Sequence, residues 1–232
     1  MIELFPAGFE ELEHADAVEL VAYTDDAGEE RLWAAFGAVR TAEVPGDWEE
    51  RWRDFHRPVR VGGLWIGPSW ETAPDDAEAI VVDPGRAFGT GGHATTRLCL
   101  QLLEGLERGS LLDVGCGSGV LAIAAARLGF DPVIALDHDP AAIEATRRNA
   151  QVNEVGLDLR LVDALTEPLP PAHVAAANIS AESVERLVPL LESPTVVTSG
   201  YLQQDEPATP GFRRERRVTE GGWAADLFRR EE

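Results

Sequence analysis

Short apolar runs alternate with longer segments of helical spacing through the last two-thirds of the chain. The runs AIVVD, LLDVG, PVIALD, LDLRLVDA, VAAANIS and PTVVTSGY read as strands. Between the first two, TTRLCLQLLEGLERG carries Leu98, Leu102, Leu103 and Leu106 on one helical face, with Gly109 expected as its stop. GVLAIAAARLG and PAAIEATRRNAQVN are expected helices, the second begun by Pro140, whose fixed φ suits a first turn. FRRERRVTE and GGWAADLF read as a hairpin turning at Gly221 and Gly222. Strands and helices alternating over short connections predict a parallel sheet with helices on both faces and ligand loops at the strand carboxyl ends.

The pattern differs upstream. Residues 1–45 alternate short apolar runs with acidic turns such as DDAGEE, the pattern of a small hairpin-and-helix unit. In residues 46–78, Trp48, Trp52 and Phe55 recur at helical spacing as far as Pro58, and VRVGGLWIGPSW then looks extended and turn-broken. The proline and acids of ETAPDDAEA mark the boundary, so residues 79–232 form the expected main domain.

At 232 residues and 44% hydrophobic, the chain can hold one sizeable core and a smaller appendage. It holds no uninterrupted apolar run of ~18–20 residues and its start lacks a basic signal-peptide region, so a cytoplasmic protein away from membranes is expected. Cys99 and Cys116 are the only cysteines and form no metal-ligand pattern; buried free thiols and no metal are expected. A net charge of -21 repels phosphate backbones and attracts basic partners, which argues against nucleic acid as a direct substrate. All 20 basic residues are arginine, which excludes a catalytic lysine and a Walker-type phosphate loop.

Two glycine-rich segments stand out. LLDVGCGSGVLAI places Gly115, Gly117 and Gly119 between an expected strand and helix, where the missing Cβ atoms allow a ligand near the backbone or simply a tight turn. The next strand ends in Asp137, where an acid can accept hydrogen bonds from ribose hydroxyls. A dinucleotide site would need glycine at position 120, which is Val120. The second segment, DPGRAFGTGGHATTRLCL, is too polar and flexible for a core strand and leads straight into a helix.

LDVGCGSGVLAIAAARLG, ALDHDP and AANIS resemble the successive motifs of class I methyltransferases that use S-adenosylmethionine. DPGRAFGTGGHATTRLCL is more specific and resembles the signature of the ribosomal protein L11 methyltransferase family. With DWEERWRDFHRPVRVG upstream and SGYL downstream, the likeness runs from about residue 47 to 202. It implies a Rossmann-like α/β sheet, mostly parallel with an antiparallel C-terminal hairpin. It also implies a ferredoxin-like N-terminal recognition unit, of which residues 6–44 supply a truncated version.

The resemblance assigns Asp137 to the cofactor's ribose, Gly115 to its methionine part with Gly117 beside it, and Asp163 and Ala164 to its adenine. Asp163 is equally readable as a strand-end cap. Thr96 matches the family's cofactor-binding threonine, and Thr95 and Thr96 lie where a helix N-terminus favours a carboxylate. Phe88, beside Gly89, is a wall for the ligand or part of the core; Asp83 and Arg86 are readable as a loop-anchoring pair. His93 is either a structural hydrogen-bonding group or a direct participant that takes a proton or orients the substrate. Asn178 can bind the cofactor and accept a hydrogen bond from a neutral amine.

The implied reaction is methylation of lysine ε-amino or N-terminal α-amino groups of ribosomal protein L11 by a monomeric enzyme. A methyltransferase for another protein or small amine is an alternative, and so is a non-catalytic cofactor-binding assembly factor. A dehydrogenase is disfavoured by the glycine spacing.

Overall fold

The computed structural model describes residues 10–14, 17–21, 32, 33, 35, 36, 39, 57–83 and 91–231. Arg86, Phe88, Gly89 and the expected helix through Trp48, Trp52 and Phe55 lie outside these residues. The chain divides into two compact units, residues 1–52 and 53–232. In the first, β1 (Glu10–His14) pairs antiparallel with β2 (Ala17–Val21), and residues 32, 33, 35 and 36 are helical.

The second unit opens with a three-stranded sheet. β3 (Val59–Val61) and β4 (Leu64–Gly67) form an antiparallel pair, and β5 (Glu78–Val81) adds parallel to β4. The run AIVVD is therefore a strand of this small sheet and not of the large one. Asn153 supplies a side-chain substitute for a neighbouring strand: its Oδ1 accepts from the Val81 amide at 2.8 Å and its Nδ2 donates to the Val81 carbonyl at 2.7 Å. Two long-range side-chain bonds of this kind cannot be inferred from apolar periodicity.

The large sheet has seven strands: β6 (Leu111–Val114), β7 (Val133–Asp137), β8 (Asp158–Leu161), β9 (Val174–Asn178), β10 (Thr195–Leu202), β11 (Phe212–Glu220) and β12 (Trp223–Arg230). Their order is β11-β12-β10-β9-β6-β7-β8. The five strands from β10 to β8 run parallel, and β12 is antiparallel to both its neighbours. Every residue of β6 and β7 is buried, as a parallel strand covered on both faces requires. β11 forms one edge and exposes most of its arginines and glutamates, which discourages pairing with another chain.

Helices α1 (Ala94–Glu104), α2 (Val120–Arg127) and α3 (Pro140–Val152) pack on one face, where Leu98, Leu103, Ile123 and Ile143 join Ala135, Ala176 and Val197 of the sheet. On the other face α4 (Ala181–Leu187) inserts Val184 and Leu187 among Leu112, Leu136 and Val196. Pro140 is the first residue of α3, and the Asp139 carboxylate accepts from the Ala141 amide at 2.8 Å to cap it.

α1 ends at Gly105, four residues before the expected stop at Gly109. Gly105 is itself the C-cap, and Arg108 satisfies the end of the helix: its guanidinium folds back and donates to the Leu103 carbonyl at 3.2 Å and the Glu104 carbonyl at 3.0 Å. A cation at a helix C-terminus satisfies orphaned carbonyls and opposes the negative end of the dipole. Leu106 then lies beyond the helix but still packs on the same core.

Candidate functional site

The carboxyl ends of β6, β7, β8 and β9 open onto a cavity of about 470 Å³. Its floor is the loop 115–119 between β6 and α2. The Gly115 and Cys116 amides donate to the Leu136 carbonyl at 2.9 and 3.0 Å, which ties this loop to the end of β7. Gly115 has φ +74°, and a Cβ there would come within 2.9 Å of Ile179 Cγ2. Gly119, at φ +81°, is the N-cap of α2, and a Cβ there would come within 2.5 Å of Thr146 Cγ2. Both positions need glycine for conformation and for space.

Asp137 ends β7 beside this loop and is buried. The Gly117 amide donates to its Oδ2 and the Asp139 amide to its Oδ1, each at 3.0 Å, and His138 Nδ1 stands 3.5 Å from Oδ1. The carboxylate is held at both oxygens by backbone, with lone pairs left over on each.

Asp113 lies deeper. The Ala122 amide donates to its Oδ2 at 3.1 Å, while Oδ1 is buried without a partner among the described residues. Burial pushes the Asp113 carboxyl up to about 7; the Ala122 amide opposes that rise and the Asp137 charge adds to it. An unsatisfied carboxylate oxygen on a cavity wall is costly until a cation or donor reaches it.

Asn178 closes β9. Its Nδ2 donates to Thr96 Oγ1 at 3.4 Å, and its Oδ1 is buried and unpartnered among the described residues. Thr96 is fully buried in the first turn of α1 and lines the cavity, as does Asn178. Thr95 is buried beside it without reaching the wall.

Asp163 and Ala164 also line the cavity, at the end of β8. The Asp163 carboxylate accepts from the Leu165 amide at 3.0 Å, so the side chain caps the turn after the strand. That amide, first, and Thr166 hold its pKa below the usual carboxylate value. Asp83 accepts from the Ser69 amide at 2.7 Å; its expected partner Arg86 lies outside the described residues, as do Phe88 and Gly89.

His93 is the N-cap of α1. Its Nδ1 stands 2.7 Å from Thr95 Oγ1 and accepts from the Thr95 amide at 3.4 Å, and its ring meets that of Trp223 edge-on at 4.8 Å. Burial, then the charge of Arg97, lowers its pKa, which favours the neutral imidazole, and Nδ1 is engaged as the acceptor of the α1 cap. His93 does not line the cavity.

Two residues of α3 brace the glycine loop and were not singled out by sequence pattern. Thr146 is fully buried and donates from Oγ1 to the Gly117 carbonyl at 3.0 Å, with Cys116 Sγ at 3.3 Å. Asn149 donates from Nδ2 to the Ser118 carbonyl at 2.8 Å. Polar residues on an amphipathic helix read as solvent-facing, and only the close approach of α3 to the glycine loop reverses that. Both cysteines are buried, and burial raises both thiols, Cys116 to about 12. Neither is a nucleophile at neutral pH.

A parallel sheet closed by an antiparallel hairpin, with a glycine loop after one strand and an acid at the end of the next, defines a class I methyltransferase fold. The chain belongs to the ribosomal protein L11 methyltransferase family: residues 9–231 match the family described as Ribosomal protein L11 methyltransferase (PrmA). It is 48% identical over 161 residues to the ribosomal protein L11 methyltransferase of Yersinia pseudotuberculosis, covering 67% of this chain and 55% of that protein. It is 49% identical over 150 residues to that of Serratia proteamaculans, covering 62% of this chain and 51% of that protein. The chain thus spans about half the length of the curated relatives it matches. The crystal structure of a ribosomal protein L11 methylase from Lactobacillus delbrueckii subsp. bulgaricus superposes with a TM-score of 0.70 at 31% identity, covering 76% of this chain and all of that one.

Proposed function

We propose that this protein transfers methyl groups from S-adenosylmethionine to amino groups of ribosomal protein L11, on lysine side chains, the N-terminus or both. The observation that carries the reading is Asn178, whose buried carbonyl oxygen has no partner among the described residues while its amide nitrogen is held by Thr96. An acceptor without a donor, at the end of β9 beside the cavity, suits an incoming N–H.

The residues present fit the cofactor. Its ribose diol matches the backbone-held carboxylate of Asp137, and its cationic ammonium matches the unpartnered oxygen of Asp113. Gly115 and Gly117 let the chain of the ligand run against backbone, and Val162, Ala164 and Leu165 offer an apolar bed for its adenine. Thr96 lies in the first turn of α1, where the helix dipole favours a carboxylate.

When bound, the cofactor supplies a methyl group on a positively charged sulfur, which leaves neutral and needs no acid. The chain's own task is to present the amine. Asn178 Oδ1 accepts a hydrogen bond from the uncharged nitrogen and fixes where its lone pair points, while the Thr96 hydroxyl fixes the Asn178 amide. Positioning of two reactants in this way replaces a large part of the entropic barrier. Desolvation at the buried amide favours the neutral amine over the ammonium. A net charge of -21 draws a basic ribosomal protein toward the enzyme. No helix among the described residues is long and apolar enough to cross a membrane, and we place the reaction in the cytoplasm.

The test is the intact mass of ribosomal protein L11 after incubation with the protein and S-adenosylmethionine. Methyl additions that vanish with Asn178→Ala are expected. An unchanged mass, with cofactor binding verified by titration, would move the search to other amines.

A further inference from the structure

The cavity takes its wall from the ends of β6, β7, β8 and β9, from the glycine loop and the start of α2, from α4 and from Thr96; among the described residues nothing from β10 or β12 contributes. A ligand filling it therefore lies on one side of Asn178. An acceptor nitrogen that attacks in line must come from the other side, over the ends of β10 and β12.

That side carries an apolar strip on the same face of the sheet as Asn178. Asn178 is in register with Ser199 of β10, and Ser199 with Ala225 of β12. Trp223 lies two residues beyond Ala225 toward the carboxyl ends of the parallel strands and packs on the same core face. It is half-buried and in register with Leu202, which is 39% exposed. The first turn of α1 bridges the strip to Asn178: His93 meets the Trp223 ring at 4.8 Å, and Thr96, three residues on, holds the Asn178 amide at 3.4 Å. A helical turn rises only about 5.4 Å, so the indole and the amide lie within reach of one extended side chain. Arg97 fastens the same turn to the hairpin through Glu220, with Nη2 to Oε1 at 2.7 Å, and donates as well to the Gly92 carbonyl.

We propose that Trp223, backed by His93 and Leu202, is the acceptor wall: a specificity-determining surface for an amine on an unbranched aliphatic stem, the shape of a lysine side chain. The methylene stem lies against the indole and Leu202. The nitrogen arrives as an ammonium, which the aromatic face attracts, and sheds its proton to solvent before it meets Asn178. His93 acts here as a positioning residue, with Nδ1 committed to the α1 cap and its ring holding the indole. This inference rests on the reading of Asn178 as the group that aims the amine.

The experiment is steady-state kinetics with ribosomal protein L11 and S-adenosylmethionine on the full chain, comparing Trp223→Leu, Trp223→Phe and Asn178→Ala. Leucine keeps an apolar side chain under the hairpin and removes the ring. Trp223→Leu is expected to raise the KM for L11 about tenfold with cofactor Kd unchanged, and Trp223→Phe to restore most of it. An unaltered KM in Trp223→Leu, while Asn178→Ala has lost turnover, overturns the wall and leaves the role of Asn178 standing. Cofactor Kd rising in step with KM overturns it too, because the ring would then serve the cofactor side. Full turnover in Asn178→Ala, or no transfer to L11 by the unsubstituted protein, removes the reading beneath it.

Discussion

Asn178 and Thr96, 82 residues apart in sequence, meet through one hydrogen bond of 3.4 Å from Nδ2 to Oγ1, and that bond orients the amide so that its oxygen faces a site where no described residue satisfies it. Substituting Asn178 with alanine removes both the acceptor and its aim. Turnover is expected to fall about 100-fold or more, by analogy with the loss of one preorganised hydrogen-bonding group at a reacting centre. Cofactor affinity, read by isothermal titration, is expected to change far less. Equal losses in both would place Asn178 in cofactor binding alone.

Asp137 carries the complementary expectation. Its two oxygens are already held by the Gly117 and Asp139 amides, so the carboxylate is rigid before any ligand arrives. Asp137→Ala is expected to weaken cofactor binding about 10- to 100-fold, the worth of hydrogen bonds to a charged acceptor. Turnover at saturating cofactor is expected to hold within a few-fold. Unchanged affinity would remove Asp137 from the ribose.

These two residues were legible in the sequence because each stands at a strand end whose strand is unmistakable. β7 and β9 are apolar up to their last residue, as strands buried on both faces tend to be, and the residue that breaks each run, Asp137 or Asn178, is where the chain reaches the cavity. Thr146 and Asn149 were not legible, since they become bracing residues only when α3 lies against the glycine loop. Nor was the placement of β5, which pairs with β4 and whose Val81 backbone is met by the side chain of Asn153, 72 residues further on. His93 stood out for its glycine-rich setting, and what the fold adds is its commitment to the cap of α1, a contact three-dimensional packing decides.

Asp113 gives the site a pH dependence. Its carboxyl is pushed up to about 7 by burial, with the Asp137 charge adding to the rise, and both nearby thiols stay protonated. A cationic cofactor binds best to the ionised form, so affinity is expected to improve as pH rises from 6 through about 7 and then level off. Stability runs the other way. A carboxyl with a folded pKa above its unfolded value costs nothing below the unfolded pKa, near 3.8, and an increasing amount from there up to about 7. Asp113→Asn keeps an acceptor for the Ala122 amide and removes the charge. Its melting temperature relative to the unsubstituted protein should therefore gain as pH rises from 5 to 8, while cofactor affinity falls and loses its pH dependence. A pH-independent difference in melting temperature would show that Asp113 does not titrate in this range.

Arg217 and Asp226 form the most deeply buried ion pair among the described residues. Asp226 is fully buried and receives Arg217 Nε at 2.9 Å, Arg217 Nη2 at 2.8 Å and the Tyr201 hydroxyl at 2.9 Å. The same guanidinium reaches the Gln203 carbonyl at 3.2 Å, the Asp205 carbonyl at 2.8 Å and Glu206 Oε1 at 2.9 Å, so it also shapes the turn after β10. Arg217→Met strands a buried carboxylate with one hydroxyl and the more distant Arg214 at 3.8 Å, and is expected to cost about 3–5 kcal/mol in urea unfolding. Tyr201→Phe removes one of three donors and is expected to cost about 1–2 kcal/mol. The ordering follows from charge: losing the cation leaves an uncompensated buried anion, whereas losing the phenol leaves the pair intact. If the two substitutions cost the same, Asp226 is satisfied by solvent after Arg217 is lost, and the network holds the turn without holding the fold.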